Sequence, residues 1–209
     1  MKSKKDETLV VALYVDDLIF MGNSQRLVEE FKAEMKKEFE MTDLGLMKFF
    51  LGLEVKQDSS GIFISQGAYA KDILKRFGMD NCNPVATPME LGAKLSKLEG
   101  GNAVDATEYR SLIGSLRYLT CTRPNIMFAV GVASRFMKDP KASHMKAAKM
   151  ILRYVKGTKQ LRLHYLKTNN FLLSCYVDND WAGDVDDRKS TTRFVFYMGG
   201  ITFTWFSRK

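Results

Sequence analysis

The chain has 209 residues, of which 45% are hydrophobic, 27% charged and 11% aromatic, and its formal net charge is +8 at pH 7. This composition excludes a disordered tail, a collagen-like fibre and a disulfide-rich miniprotein. The basic excess favours a polyanionic partner. The three dispersed cysteines have no Cys-x-x-Cys spacing, which argues against a zinc site and a secreted disulfide framework. These cysteines are Cys82, Cys121 and Cys175.

The amino terminus is charged and has no long apolar run before Asp16. A signal peptide would need a longer apolar segment and a cleavage site with small residues. Nowhere does an apolar stretch reach the roughly 18 residues that a transmembrane helix requires. We therefore expect an intracellular protein without membrane contact, in the cytoplasm or the nucleus, between which the sequence does not decide.

The first elements in chain order are a β-hairpin and a helix. Residues 9–20 form two short apolar runs joined at Asp16 and Asp17, which predicts a hairpin buried at the centre of a sheet. Ser24 is a suitable N-cap for a helix with apolar residues at helical spacing. Those residues are Leu27, Val28, Phe31, Met35 and Phe39.

The middle of the chain predicts two strands, a helix and then a linker. The strands cover 48–56 and 61–65 around a turn. Gly78 is placed to end the helix. The helix itself is predicted from apolar residues on one side, which are Tyr69, Ile73, Leu74 and Phe77. Residues 81–104 contain several prolines and glycines, and their apolar residues follow neither a helical nor a strand period. We therefore predict a linker there.

The second half predicts three helices followed by four strands. The first helix contains Tyr109 and Leu119 and stops before Pro124, because proline breaks a helix. The second and third run over about 125–137 and 143–157. Strands follow at 161–166, 171–177, 191–198 and 201–205, with an acidic loop at 178–184. The pattern is that of an α/β (α+β) protein.

Asp16 and Asp17 are the first candidate site. Two adjacent carboxylates between apolar strands need water, a cation or hydrogen-bond donors. Magnesium prefers carboxylate oxygens and retains waters for a substrate phosphate, and paired metal ions stabilise the attacking and leaving oxygens of a displacement. On spacing alone, a hairpin turn with solvated aspartates is the commoner explanation. A dinuclear site would also need a third carboxylate from a neighbouring strand.

Cations at helical spacing on two predicted helices are the second candidate. Such stripes can contact a phosphate backbone, and the binding would then depend strongly on salt. An ordinary solvated face explains either helix equally well. The earlier helix carries Lys71, Lys75 and Arg76, and the later one carries Lys146, Lys149, Arg153 and Lys156.

Residues 14–17, Tyr-Val-Asp-Asp, resemble the Tyr-x-Asp-Asp motif of reverse transcriptases. Further blocks occur in the order seen in the Pol polyproteins of copia-type LTR retrotransposons. They lie at 50–55, 64–66, 109–114, 122–124, 152–158 and 180–184. The resemblance covers residues 9 to 209 and is specific because several ordered blocks match.

The resemblance implies a fold and an activity. Residues 1–80 would be the C-terminal part of a truncated reverse-transcriptase palm and thumb, 81–104 a linker, 105–158 a helical connection, and 159–209 an incomplete RNase H-like β-sheet. The activity implied is RNA-directed DNA polymerisation with Mg²⁺ or Mn²⁺. The implied partners are an RNA template and a DNA primer, or an RNA–DNA hybrid.

Site residues carried over from the family lie in two places. Asp16 would be a metal ligand and Asp17 its supporting carboxylate, while Tyr14 and Val15 would pack near the primer terminus. Asp178 matches the first metal-binding aspartate of RNase H. The family context also favours a thumb-like nucleic-acid contact for the cations of the earlier helix.

The family pattern is incomplete in this sequence. A reverse-transcriptase site needs an aspartate on a strand well upstream of Tyr14, for which Asp6 is the one candidate, and further RNase H acids would lie beyond Lys209. A missing ligand leaves carboxylates that repel one another and weakens metal binding. We therefore expect no robust polymerase or RNase H activity from the isolated chain.

Two alternatives remain open. The chain is either a fragment of a Pol polyprotein or a non-catalytic, co-opted or decaying remnant with weak nucleic-acid binding. Departures from the family point to relaxed constraint: Arg193 stands where glycine is usual, Asn125 where aspartate is common, and Phe206 where a small polar residue is usual. An unrelated metal-dependent enzyme that uses the paired aspartates is disfavoured by the ordered blocks.

Overall fold

The structure, a computed structural model, describes residues 2–4, 7–98 and 100–209. The chain folds into two compact units, which cover Met1–Met47 and Lys48–Lys209. The first unit contains the antiparallel sheet β1-β2-β3 and helix α1. Its elements are β1 (Lys2–Lys4), β2 (Glu7–Tyr14), β3 (Asp17–Gly22) and α1 (Gln25–Glu38).

The predicted hairpin and first helix are both present. Strands β2 and β3 pair with Tyr14 opposite Asp17, so Val15 and Asp16 form a two-residue turn. The expectation that the hairpin is buried is wrong, because the side chains of Leu13 and Val15 are 70% and 82% exposed. Among the described residues of this unit, the buried apolar side chains are Leu9 of β2 and Leu27 of α1, which are 5% and 8% exposed.

Four α-helices and two antiparallel sheets lie among the described residues of the second unit, 48–98 and 100–209. Its helices are α2 (Gly67–Arg76), α3 (Ala106–Leu119), α4 (Met127–Ala133) and α5 (Ala142–Gly157). Its strands are β4 (Phe49–Phe50), β5 (Leu53–Asp58), β6 (Gly61–Ser65), β7 (Leu163–Leu166), β8 (Leu173–Asn179), β9 (Thr192–Met198) and β10 (Ile201–Arg208). Short 3₁₀ turns at Pro124–Ile126 and Ser134–Phe136 flank α4, so the predicted helix over 125–137 is only partly α-helical.

The apolar faces of the four helices form the core of the second unit. Burying a leucine or isoleucine fully stabilises a fold by about 1.5–3 kcal/mol, and several of these side chains are completely buried. They include Leu112, Ile113 and Leu116 of α3 and Ile151, Leu152 and Val155 of α5. The Asp105 carboxylate caps α3 by accepting the N–H groups of Thr107 and Glu108 at 2.6 and 3.3 Å, satisfying donors that a helix start leaves unpaired.

The strand predicted over 48–56 is interrupted by a tight turn. Leu51 and Gly52 have φ angles of 49° and 75°, which reverse the chain between β4 and β5. The Tyr118 hydroxyl donates a hydrogen bond to the Leu51 carbonyl. A Cβ atom at position 52 would collide with that hydroxyl, so glycine is needed there for both conformation and space.

The four C-terminal strands do not form one sheet. Strand β7 pairs with β6 in the order β4-β5-β6-β7, with Leu163 opposite Ile64. Strands β8, β9 and β10 form a separate antiparallel sheet. The resemblance implies a single RNase H-like sheet over residues 159–209, and the pairing of β7 with β6 differs from that prediction. The reason is that strand pairing depends on residues distant in sequence, which local patterns do not encode.

The predicted linker contains no helix or strand among its described residues, 81–98 and 100–104. It nevertheless packs on the second unit. The N–H of Lys97 donates to the Asp186 carboxylate at 2.9 Å, and Leu95 lies against the helical core. None of the helices among the described residues combines the length and apolar content needed to cross a membrane.

Candidate functional site

Asp16 and Asp17 lie at the tip of the β2–β3 hairpin, and both are exposed. Tyr14, the last residue of β2, is 51% exposed. The hairpin thus presents two carboxylates on one short turn, with Tyr14 and Val15 beside them in sequence. Asp6, the candidate for a further aspartate, lies outside the described residues.

The two carboxylates of this turn are suitable ligands for a divalent cation, but they are too few to form a complete metal site. Carboxylate oxygens are the ligands that Mg²⁺ prefers. Within 2–4, 7–98 and 100–209, however, no group of three His, Cys, Asp or Glu side chains could hold a metal ion. The described residues alone therefore do not fit a complete metal centre.

Asp178 lies in the second unit, on β8, and its carboxylate already has a cationic partner. It sits directly opposite Arg193 of β9 in the strand register. The Arg193 Nη2 atom is 2.7 Å from Asp178 Oδ2. Sequence comparison singled out both positions separately, and the structure brings them together as an ion pair.

The three cations of α2 face solvent. Lys71, Lys75 and Arg76 are exposed, while Ile73 and Leu74 on the other side of the helix are each 2% exposed. Arg76 Nη2 also donates to the Ser111 hydroxyl at 2.9 Å, which fixes this side chain against α3. The helix therefore presents a basic outer face, as the amphipathic pattern predicts.

The basic residues of α5 are less available than those of α2. Lys146 is exposed, whereas Lys149, Arg153 and Lys156 are half-buried. Arg153 Nε donates to the Asn83 carbonyl at 2.8 Å, and the Lys156 ammonium donates to the Asp80 carbonyl. These two side chains hold the segment after α2 against α5, a role that helical spacing alone does not indicate.

The acidic loop after β8 contains a buried ion-pair cluster that sequence analysis did not identify. The Asp184 side chain is 5% exposed and lies 2.9 Å from Arg135 Nη1 and 2.7 Å from Lys209 Nζ. Burial by itself raises the pKa of Asp184, but the Lys209 ammonium and the N–H groups of Asp186 and Asp187 outweigh it, so the pKa lies well below the ordinary value. The only sequence signal was membership of this aspartate in the block 180–184.

Several blocks that carry the family resemblance meet in a second polar cluster. The Glu54 carboxylate accepts the N–H of Ala68 at 2.7 Å at the start of α2. The side chain of Gln66, which is 1% exposed, accepts from the Thr122 hydroxyl at 2.8 Å and donates to the Tyr118 carbonyl at 3.3 Å. These blocks therefore join β5, α2 and α3.

Arg123 is the largest fully buried side chain of this cluster. Its Nη1 donates to the Thr158 hydroxyl at 3.1 Å. Its Nε and Nη2 have no hydrogen-bond partner among the residues that the structure describes. Burial lowers the pKa of this guanidinium, since removing a charge from water disfavours the charged form.

Comparison with known proteins establishes the family. The family described as "Reverse transcriptase (RNA-dependent DNA polymerase)" matches residues 1–91. The chain is 40% identical over 197 residues to the retrovirus-related Pol polyprotein from transposon RE1 of Arabidopsis thaliana, covering 94% of this chain and 13% of that polyprotein. It is 36% identical over 201 residues to an uncharacterized mitochondrial protein of the same plant, covering 96% of this chain and 83% of that protein. This chain belongs to the reverse transcriptase family of copia-type retrotransposon Pol polyproteins.

A further relative extends the comparison beyond plants. The chain is 31% identical over 210 residues to the putative transposon Ty5-1 protein of Saccharomyces cerevisiae, covering 100% of this chain and 68% of that protein. The family match at 1–91 includes the Tyr14–Asp17 turn, and the likeness to the polyproteins continues through the second unit. The chain spans only about an eighth of the RE1 polyprotein. No solved structure matches it.

Proposed function

We propose that this chain is a reverse-transcriptase fragment which, as an isolated protein, binds nucleic acid without polymerising it. Residues 1–80 would supply the C-terminal part of the palm and thumb, 81–104 the linker and 105–158 the helical connection. Residues 159–209 would supply the N-terminal part of an RNase H-like domain, except that β7 pairs with β6. The observation that supports this most strongly is the turn 14–17, which places the motif of the family on an exposed antiparallel hairpin.

The proposed roles in the palm follow from this turn. Asp16 would act as a metal ligand and Asp17 as its supporting carboxylate, with Tyr14 and Val15 near the primer terminus. Divalent ions, when bound in such a site, stabilise charge on the reacting phosphate. Two carboxylates of one turn can supply only part of a two-ion site, which is why we propose that catalysis requires groups additional to those on this hairpin.

The isolated chain is expected not to extend a primer. Purified protein, shown to be folded by circular dichroism, would be incubated with a DNA primer on an RNA template, nucleotides and Mg²⁺ or Mn²⁺. We expect incorporation no greater than that of the Asp16→Asn variant. Incorporation by the unsubstituted chain that Asp16→Asn abolishes would contradict the proposal.

Nucleic-acid binding is proposed from the basic face of α2. Lys71 and Lys75 share one exposed face of the helix, Arg76 is exposed next to Lys75 in sequence, and the net charge of the chain is +8. Cations arranged in this way release counterions from a phosphate backbone. The alternative is a non-catalytic remnant that acts by binding.

Charge reversal on α2 is expected to weaken binding to an RNA–DNA hybrid by about tenfold or more at 0.15 M salt. The test variant is Lys71→Glu/Lys75→Glu, measured by fluorescence anisotropy across a salt series. The slope of log K against log salt should also become shallower by roughly one unit for each lost phosphate contact.

The matched control is Lys36→Glu/Lys37→Glu on α1, which changes the net charge by the same amount at two exposed positions. Binding should depend on the site of the charges and not only on their number. Equal weakening by both double variants would refute a specific role for α2, and affinity independent of salt would refute phosphate contact altogether.

A further inference from the structure

We propose that Arg193 forms a lasting ion pair with Asp178 and thereby prevents this carboxylate from binding a divalent metal ion. The two residues face each other directly across β8 and β9, and their side chains form an ion pair with an Nη2–Oδ2 distance of 2.7 Å. The guanidinium therefore occupies one side of the carboxylate to which the family would assign a metal. This inference goes beyond polymerisation and nucleic-acid binding, and rests on the proposed correspondence of Asp178 with RNase H.

Contacts with α4 hold the Arg193 side chain in place. Its Cζ atom lies 4.5 Å from the centroid of the Phe128 ring, a distance at which a cation is attracted to the face of an aromatic ring. The side chain is 35% exposed, against 65% for Asp178. The Nε atom of Arg193 is buried, and the contact with Phe128 favours the position of the guanidinium beside the carboxylate.

The neighbouring carboxylates of the loop are committed to other partners. Asp180 Oδ1 accepts the N–H groups of Thr191 at 2.8 Å and Gly183 at 3.3 Å. Asp184 is buried in its ion pairs with Arg135 and Lys209. Among the described residues, Asp178 therefore has no companion carboxylate free of such contacts on this loop with which to chelate a cation.

The charge of Arg193 decides the competition for Asp178. A guanidinium carries a full positive charge. A divalent ion beside Asp178 would lie a few ångströms from this fixed positive charge, which at about 4–5 Å weakens its binding by roughly tenfold or more, even with the dielectric constant of water. Removing the charge while keeping an alkyl side chain should therefore open the site.

The test is a Mn²⁺ titration of the ¹⁵N-labelled full chain, followed by paramagnetic broadening of the Asp178 amide resonance. The charge-free variants are Arg193→Met and Arg193→Gln, and Arg193→Lys is the matched control that keeps the charge. We expect half-broadening in both charge-free variants at Mn²⁺ concentrations at least about tenfold lower than in the unsubstituted chain. Arg193→Lys should behave like the unsubstituted chain, and adding Asp178→Asn to Arg193→Met should abolish the gain.

The proposal is overturned if the unsubstituted chain and both charge-free variants respond to Mn²⁺ alike, whether strongly or weakly. It is also overturned if the gain survives Asp178→Asn, because the ion would then be bound elsewhere. Having two charge-free variants guards against a folding defect in one of them. Hybrid binding and primer extension are separate measurements, so failure of the proposed function would be distinguished from failure of this inference.

Discussion

Replacing Asp184 by alanine is expected to lower the free energy of unfolding of the second unit by about 3–5 kcal/mol, the usual cost of removing one partner from a buried ion pair. The variant would leave Arg135 and Lys209 without their shared carboxylate, and the side chains of both are only 16% exposed. It would also remove the acceptor of the N–H groups of Asp186 and Asp187, at 3.0 and 3.3 Å.

Denaturant titration monitored by tryptophan fluorescence would measure this effect selectively. Both tryptophans of the chain, Trp181 and Trp205, belong to the second unit. The matched control is Glu108→Ala, an exposed acidic residue of α3, for which we expect a change within about 0.5 kcal/mol. A loss below 1 kcal/mol for Asp184→Ala would show that the cluster contributes little to stability.

The same ion-pair cluster predicts a dependence of stability on pH. The pKa of Asp184 is lowered in the folded state, so the folded protein binds its proton less readily than the unfolded chain does. The stabilisation is therefore complete above the ordinary aspartate pKa of about 3.9 and is lost as the pH falls further. The gap in stability between the unsubstituted chain and Asp184→Asn should narrow below pH 4.

Replacing Tyr109 by alanine is expected to cost about 3–5 kcal/mol, because truncating a buried aromatic residue leaves a cavity. Tyr109 is 0% exposed, and its hydroxyl donates to the Ala133 carbonyl at 2.7 Å, which links α3 to the end of α4. Burial raises the pKa of this phenol, so the hydroxyl remains a donor throughout the ordinary pH range.

The Tyr109→Phe variant separates packing from hydrogen bonding. It keeps the ring and removes the donor to Ala133, for which we expect a loss of about 1–3 kcal/mol. Leu91→Ala is the control, since Leu91 is completely exposed and should change stability by less than about 0.5 kcal/mol. The same fluorescence measurement gives the free energy of unfolding of both variants. If Tyr109→Phe lowered it as much as Tyr109→Ala, the hydrogen bond and not the packing of the ring would be the main contribution of Tyr109 to stability.

Local sequence patterns were sufficient where a local physical rule applies. The 3.6-residue period of apolar side chains predicted that α3 exists and predicted α5 within one residue of its observed bounds, because a helix of this kind buries one face. The paired aspartates between two apolar runs likewise predicted the β2–β3 turn. The resemblance to reverse transcriptases rested on ordered blocks of residues and was confirmed by comparison with known proteins.

Other features depended on residues that are distant in sequence. At the turn between β4 and β5, the distant residue Tyr118 occupies the space beside Gly52. Strand β7 pairs with β6 although α2 to α5 separate the two strands in sequence. The exposure of the hairpin depends on how much of the sheet α1 covers. Neither residue propensity nor hydrophobic periodicity predicts these contacts and strand pairings, because they form only when separate segments pack together.

Residue patterns along the chain were enough to predict the family, the order of the helices and most strands, and the turn that carries Asp16 and Asp17. Three-dimensional contacts, in contrast, set which charges are available to a ligand. Arg153 and Lys156 bind backbone carbonyls, Arg193 pairs with Asp178, and Asp184 is buried between two cations. The physical reason is that the chemistry of a charged side chain depends on its neighbours and its access to water, both of which are fixed by contacts between distant parts of the chain.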